Sequence, residues 1–160
     1  VLANSLSTTL RGSETIGTDQ EIFTVDRNGT VTQVTQLNTV FSAVRIGSLS
    51  WSPSSDQVAF WVEAEPREYQ TPWNDPDVGH GQRLAILDLD SATTIDYCIP
   101  GDTYYTLSLD PIWSPDSRYL IVENRYGEIT SRVFLLDTLQ GLALQVAENV
   151  RPIGWMAPTP

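Results

Sequence analysis

One motif occurs twice in this chain and constrains its fold more than any other feature. Residues 49–60 read LSWSPSSDQVAF, and residues 111–121 read PIWSPDSRYLI. In both copies an apolar position leads into Trp-Ser-Pro, and a short polar turn and an apolar run follow. Proline sets φ at the first central position of a turn, while Ser or Asp beside it can bond back to the backbone. Each copy is therefore predicted to form a hairpin turn, with Trp51 and Trp113 as equivalent, mostly buried anchors.

Three apolar runs that end in Asp form a second repeating marker. They are IFTVD at 22–26, LAILD at 84–88 and VFLLD at 133–137, and a degraded Trp motif, IGWMAP, stands at 153–158. The spacing from Trp113 to Trp155 is 42 residues, close to the roughly 40–45 residues of a four-stranded propeller blade. The preceding repeat is longer because it contains an insertion, residues 63–82.

Each repeat is predicted to contain four strands, and no segment shows a sustained helical period. The inner strands are apolar at consecutive positions, whereas the fourth strands, such as 93–99 and 142–147, alternate with polar residues as outer edges do. The predicted fold class is all-β, a partial β-propeller of about three four-stranded antiparallel blades. The chain is predicted to be a single propeller segment, divided into an incomplete blade (1–36), a blade with the long insertion 63–82 (37–99), a blade (100–148) and the first strand of a further or closing blade (149–160).

Charge and composition exclude several classes of protein. There are 20 acidic and 9 basic residues, which gives a net charge of −11, and every cation is Arg. Such a chain repels phosphate backbones, so no nucleic-acid partner is expected. No apolar run approaches the roughly 18 residues of a membrane helix, so no membrane span is predicted. A single cysteine, Cys98, excludes an internal disulfide and is interpreted as a small buried side chain.

The motif and its surroundings resemble the repeat of TolB-like β-propellers, a WD40-like (PD40) repeat. The shared features are Trp-Ser-Pro-Asp, a strand, a Gly-containing loop and an apolar strand that ends in Asp, and they cover roughly residues 46–158. The same repeat is found in the propellers of prolyl-oligopeptidase-type enzymes. This chain departs from it at Ser55 and Ser117, where the family usually has Gly. Left-handed serines there would each store about 1 kcal/mol of strain, and a different turn geometry is the alternative.

Two groups of residues are candidates for binding, and both are expected on the face opposite the Trp-Ser-Pro turns. The first group lies in the insertion, because a long loop without secondary structure is often functional: Tyr69, Trp73, Asn74, Asp75 and His80. A solvated loop whose Trp caps the propeller is the preferred interpretation of this insertion, and a binding role is the alternative. The second group is Tyr104, Tyr105, Arg125 and Tyr126. Tyr and Arg are enriched at protein interfaces, but these are also ordinary residues at blade edges.

No metal, cofactor or catalytic site is predicted. His80 lies near Asp75 and Asp77, but the ligand alternation of calcium loops and the second His or Cys of a zinc site are missing. The chain has no Gly-x-Ser-x-Gly elbow, and His80 is the only candidate base for a catalytic triad. Carboxylates are abundant, yet no pair stands out for glycoside chemistry. The chain is therefore predicted not to be an enzyme.

The predicted function is binding or scaffolding through protein–protein contacts, in an exported protein or a larger assembly. The resemblance to TolB-like propellers implies an extracytoplasmic location, either periplasmic or secreted. The alternative is the non-catalytic propeller part of a larger hydrolase, such as a prolyl-oligopeptidase-type peptidase. The chain starts without Met and in the middle of a blade, so its expected partners are other chains or the remainder of a longer propeller. A homodimer that completes six blades is a further possibility.

Overall fold

Three antiparallel sheets make up the computed structural model of this protein, which describes residues 2–8, 18–66, 82–100, 109–126 and 130–156. The first sheet contains β1 (Leu2–Thr8), β2 (Thr18–Val25) and β3 (Val31–Gln33). A short 3-10 helix, Leu37–Thr39, comes next. The second sheet contains β4 (Phe41–Trp51), β5 (Gln57–Pro66), β6 (Arg83–Asp88) and β7 (Thr93–Pro100). The third contains β8 (Ile112–Trp113), β9 (Tyr119–Tyr126), β10 (Thr130–Asp137) and β11 (Leu142–Glu148).

Two apolar clusters join these sheets face to face. Ile22 of the first sheet packs with one face of the second sheet, which includes Phe60 and Leu87. The other face of the second sheet packs against the third sheet in a cluster that contains Trp61, Ile86, Trp113, Leu120 and Leu136. Consecutive up-and-down sheets that pack in this way are the blades of a β-propeller. The predicted all-β, partial-propeller class is confirmed, with three strands in the first sheet and four in each of the others.

β5 shows why its sequence is apolar at consecutive positions. Successive strand residues point to opposite faces, so Val58 and Phe60 pack toward the first sheet while Ala59 and Trp61 pack toward the third. A strand covered on both faces has no position left for a solvent-facing residue. β5 also continues to Pro66 and pairs there with β4, so the first four residues of the predicted insertion lie in a strand.

The two Trp-Ser-Pro turns have the same hydrogen-bond frame. In the first, the Ser52 amide donates to the Gln57 carbonyl at 2.9 Å, and the Ser52 hydroxyl accepts from the Gln57 amide at 3.0 Å. Ser114 and Tyr119 repeat both bonds at 2.8 Å. The predicted hairpin turns are thus confirmed. Ser55 and Ser117 have φ angles of 65° and 61°, so both are left-handed and have the strained conformation.

The prediction that Trp51 and Trp113 are equivalent and buried is correct for Trp113 and wrong for Trp51. Trp113 is 7% exposed and lies between the second and third sheets, whereas Trp51 is 37% exposed. The first strand of the preceding sheet, β4, lies beside the indole of Trp113. No described strand of the first sheet takes that place beside Trp51, because that sheet consists of β1, β2 and β3.

Among the described residues, no helix has the length and hydrophobicity that a membrane crossing requires.

Candidate functional site: the open face of the third sheet

Most of the predicted binding residues lie outside the described part of the structure. These are Tyr69, Trp73, Asn74, Asp75, His80, Tyr104 and Tyr105. Arg125 and Tyr126 are the last residues of β9 and pair with Ser131 and Thr130 of β10, but their side chains are not among those described. The side chain of Cys98, in β7, is not described either. The roles assigned to all these residues stay predictions.

A row of four apolar side chains crosses the third sheet on the face away from the second sheet. The register pairs Ile112 with Ile121, Ile121 with Leu135, and Leu135 with Leu144. Directly paired residues of antiparallel strands point to the same face. The first three side chains are half-buried and Leu144 is 65% exposed. We call this row the open face, because no further sheet covers it in the described ranges.

The equivalent row in the second sheet shows what covers such a face. In the second sheet the corresponding row is Ser50, Ala59, Ile86 and Ile95, as the register and the Trp and Asp markers both indicate. Ala59 and Ile86 are 0% and 3% exposed because the third sheet covers them. Their counterparts, Ile121 and Leu135, are apolar but only half-buried. The open face is therefore the equivalent of a face that is buried one repeat earlier.

Residues 151–156 follow the third sheet as β8 follows the second. The indole Nε1 of Trp113 donates to the carbonyl of Ser50 at 3.0 Å, and the indole Nε1 of Trp155 donates to the carbonyl of Ile112 at 3.2 Å. In both cases the acceptor is the residue just before the Trp of the preceding repeat. Trp155 also contacts the ring of Tyr119, with centroids 6.3 Å apart. These contacts place the segment beside the third sheet, although residues 151–156 form no assigned strand. That the segment begins a further blade stays a prediction.

A cleft of about 450 Å³ lies between the open face and this segment. Its floor includes Glu123, a carboxylate that is 4% exposed and that takes the position of Trp61 in the repeat. Exposed Asp110 and Arg151 are at the rim. The other lining residues are Leu109, Ile112, Pro152 and Ile153. In the second sheet, Trp61 donates from Nε1 to the carbonyl of Leu109 at 3.1 Å. The side chain at this position of the second sheet therefore contacts the next repeat along the chain.

The opposite edge of the sheets, at the Trp-Ser-Pro turns, is rich in ordered carboxylates. Hydrogen bonds from the Ser54 and Ser114 hydroxyls lower the pKa of Asp56 and Asp116, respectively, below the ordinary value of 3.8. The Arg118 guanidinium, 2.7 Å from the Asp137 carboxylate, lowers the pKa of Asp137 in the same way. Asp56 and Asp116 are bonded within their own turns, and Asp137 accepts bonds both from Arg118 of the neighbouring turn and from amides of its own turn, which makes these groups structural. No group of three or more His, Cys, Asp or Glu in the described ranges is arranged to bind a metal ion.

Sequence reasoning did not assign residues to the open face, although a signal for them was present. The Trp and Asp markers align Ile121 with Ala59 and Leu135 with Ile86. Because successive strand residues point to opposite faces, this alignment identifies apolar positions on both faces of the sheet in each repeat. What the alignment alone could not supply is which of the two faces of the third sheet is covered.

Comparisons with known proteins give fold-level likenesses only. TolB from Acinetobacter baumannii is similar in structure over 80% of this chain, at 14% identity and a TM-score of 0.49. A prolyl endopeptidase is similar over 84%, at 18% identity and 0.47. An acylaminoacyl peptidase from Pyrococcus horikoshii is similar over 70%, at 16% identity and 0.46. The chain spans 26%, 21% and 15% of these three structures, respectively. No protein-family model matches the sequence, and no curated protein matches it.

Proposed function

We propose that this chain is a non-catalytic binding or scaffolding segment of a β-propeller, which contacts other protein through the open face of its third sheet. One observation supports this proposal above the others. Ile121 and Leu135 are half-buried where their counterparts in the second sheet are covered by a neighbouring sheet. An apolar sheet face is stabilised when protein covers it and removes it from water.

The sequence supports the non-catalytic part of the proposal. It has a single histidine and no Gly-x-Ser-x-Gly elbow, so the residues of a Ser-His-Asp triad are not evident within it. Export is the location we propose, in line with the resemblance of the repeat to TolB-like propellers. We also propose that the repeats of this chain belong to the TolB-like family.

Site-specific photocrosslinking in cells that make the protein tests the contact. A photoreactive phenylalanine analogue replaces Leu144, on the open face, or Leu139, which is 79% exposed in the turn before β11. We expect covalent attachment to polypeptide from position 144 and little from position 139. Equal yields at both positions, or none at 144, would overturn the proposal. Peptide mapping of the adduct identifies the covering protein, and a hydrolase domain there would assign the chain to a larger hydrolase.

A further inference from the structure

We propose that Asn28 is a site of covalent modification, where the side-chain amide is lost and the residue isomerises in part to isoaspartate. Asn28 is followed by Gly29, and the two residues lie in the hairpin turn between β2 and β3. Every other asparagine of the sequence precedes a residue with a side chain. Glycine has none, so its amide nitrogen can approach the preceding side chain closely. The modification is independent of the contact proposed for the open face, which belongs to a different sheet.

The reaction needs only water as a reagent. The amide nitrogen of Gly29 attacks Cγ of Asn28, and a succinimide ring closes while ammonia leaves with the amide proton of Gly29. Water then opens the ring at one of its carbonyls. Opening at the side-chain carbonyl gives aspartate, and opening at the main-chain carbonyl gives isoaspartate, whose main chain runs through Cβ and Cγ. Asn28 thus takes up water and releases ammonia, and nothing is oxidised or reduced.

Both reacting groups are accessible in the folded chain. Asn28 and Gly29 are exposed, and a Cβ placed on Gly29 would meet no atom within 4 Å. Among the described residues, the side chain of Asn28 makes no hydrogen bond. Its amide is therefore free to rotate toward the nitrogen of Gly29, and no neighbouring group crowds the ring as it forms.

Asp26 restrains the attacking nitrogen. The Gly29 amide donates to the Asp26 carbonyl at 3.1 Å, and the Asp26 carboxylate accepts from the amides of Asn28 and Thr30, each at 2.8 Å. The bond from the Thr30 amide is the main cause that lowers the pKa of Asp26 below 3.8, so this acceptor stays charged at neutral pH. The closed turn directs the N–H of Gly29 toward Asp26 and away from Cγ of Asn28. Ring closure therefore requires the turn to open, and the turn sets the rate.

Isoaspartate should release β3 from β2. The methylene that it adds to the main chain displaces the amides that Asp26 binds. β3 comprises only Val31–Gln33, is exposed throughout and pairs with β2 at three positions. Just beyond it, the Val34 amide donates to the Ile22 carbonyl at 2.9 Å, and the Thr35 hydroxyl accepts from the Ile22 amide at 2.8 Å. These bonds confine the change to the turn and β3.

The test is incubation of the purified 160-residue chain at mildly alkaline pH, with peptide mapping and an isoaspartyl methyltransferase as the probe for isoaspartate. We expect isoaspartate at position 28, formed faster as the pH rises because the attacking nitrogen must lose its proton, and faster still in urea. Asn149 is the internal control, since it is exposed in the turn after β11 but precedes Val150, whose branched side chain hinders attack. Asn28→Gln should abolish the signal. Conversion in urea but none in the folded chain, or equal conversion at Asn149, would overturn the proposal.

Variants at Asp26 test whether the turn controls the rate. Asp26→Ala removes the carboxylate and should accelerate conversion at least about fivefold, because hydrogen bonds to a charged group stabilise the closed turn. Asp26→Asn keeps an oxygen acceptor without the charge, so its rate should be intermediate. Circular dichroism checks folding, and Asp26→Asn alone decides if Asp26→Ala does not fold. Rates equal to that of the unsubstituted chain would overturn control by the turn.

Hydrogen exchange of the converted chain tests the release of β3. Amides of Val31–Gln33 should exchange faster after conversion, while those of β5 should be unchanged. Unchanged exchange in β3 would show that isoaspartate is accommodated within the turn, and acceleration in every sheet would show that its effect is not local. Either result would overturn the inferred consequence for β3.

Discussion

Trp51 and Trp113 have the same place in the repeat, but only Trp113 is enclosed by a neighbouring sheet. Trp113→Ala should lower the free energy of unfolding by about 3–5 kcal/mol, as large-to-small changes in a core do. Trp51→Ala should cost about 1–2 kcal/mol, because more than a third of its side chain is already exposed. Urea unfolding of each variant beside the unsubstituted chain measures both losses. Equal losses would contradict the difference in packing.

The left-handed serines give a second prediction at this scale. Ser55→Gly relieves strain of about 1 kcal/mol but adds a similar entropy to the unfolded chain, so its net effect should be within about 0.5 kcal/mol. Ser117→Gly has the same terms and also loses the bond from the Ser54 amide to the Ser117 hydroxyl, at 2.9 Å. It should therefore be less stable than Ser55→Gly by about 0.5–1 kcal/mol. Identical urea midpoints for the two variants would show that this bond between turns adds nothing.

Carboxylates of the turns make the stability depend on pH. The pKa of Asp116 is lower in the folded chain than its ordinary 3.8, chiefly through the Ser114 hydroxyl. Its contribution is therefore complete above pH 3.8 and is lost as the pH falls through the lower folded-state value. Asp116→Asn should flatten the decline of the urea midpoint between about pH 5 and pH 2.5. Asp90→Asn, in the exposed turn after β6, is the control, and an equal flattening there would contradict the assignment.

At the scale of elements, the first four residues of the insertion, 63–66, belong to β5 and contribute strand pairing. Glu63 and Glu65 pair with Arg45 and Ser42 of β4, while pairing with β6 ends at Val62 and Arg83. Replacing residues 67–81 with about six Gly and Ser residues should leave the melting temperature within a few degrees, since loop length contributes weakly. Replacing 63–82 with a tight turn should cost about 1–3 kcal/mol more, because strand pairing is lost. Thermal melts followed by circular dichroism compare them, and equal losses would show that the longer strand adds no stability.

For the whole molecule, the number of covered faces sets the order of local stability. Among the described residues, the second sheet is packed on both faces, and the first and third sheets on one each. The first sheet contributes Ile22 as its only fully buried apolar side chain among those described. Amide hydrogen exchange should therefore be slowest in β5 and β6 and fastest in β1 to β3. Uniform protection across the three sheets would contradict this ranking.

The sequence by itself determined the fold class, the hairpin turns and the number of repeats, because each depends on short-range chemistry. Trp-Ser-Pro turns and Asp-terminated apolar strands specify their own backbone bonds, and their spacing shows how often the unit recurs. The strand lengths at the insertion escaped this reasoning, since the pairing of Glu63 and Glu65 with β4 is made with a distant segment.

Only the tertiary structure decided which faces of these sheets are covered. Trp51 and Trp113 have nearly identical local sequences, and their exposure differs because the first strand of the preceding sheet, β4, lies beside Trp113, whereas no described strand of the first sheet takes that place beside Trp51. Ile121 and Ala59 likewise hold one position in the repeat but differ in the sheet that packs on them. Burial depends on what a neighbouring sheet contributes, and a local motif has no information about that neighbour.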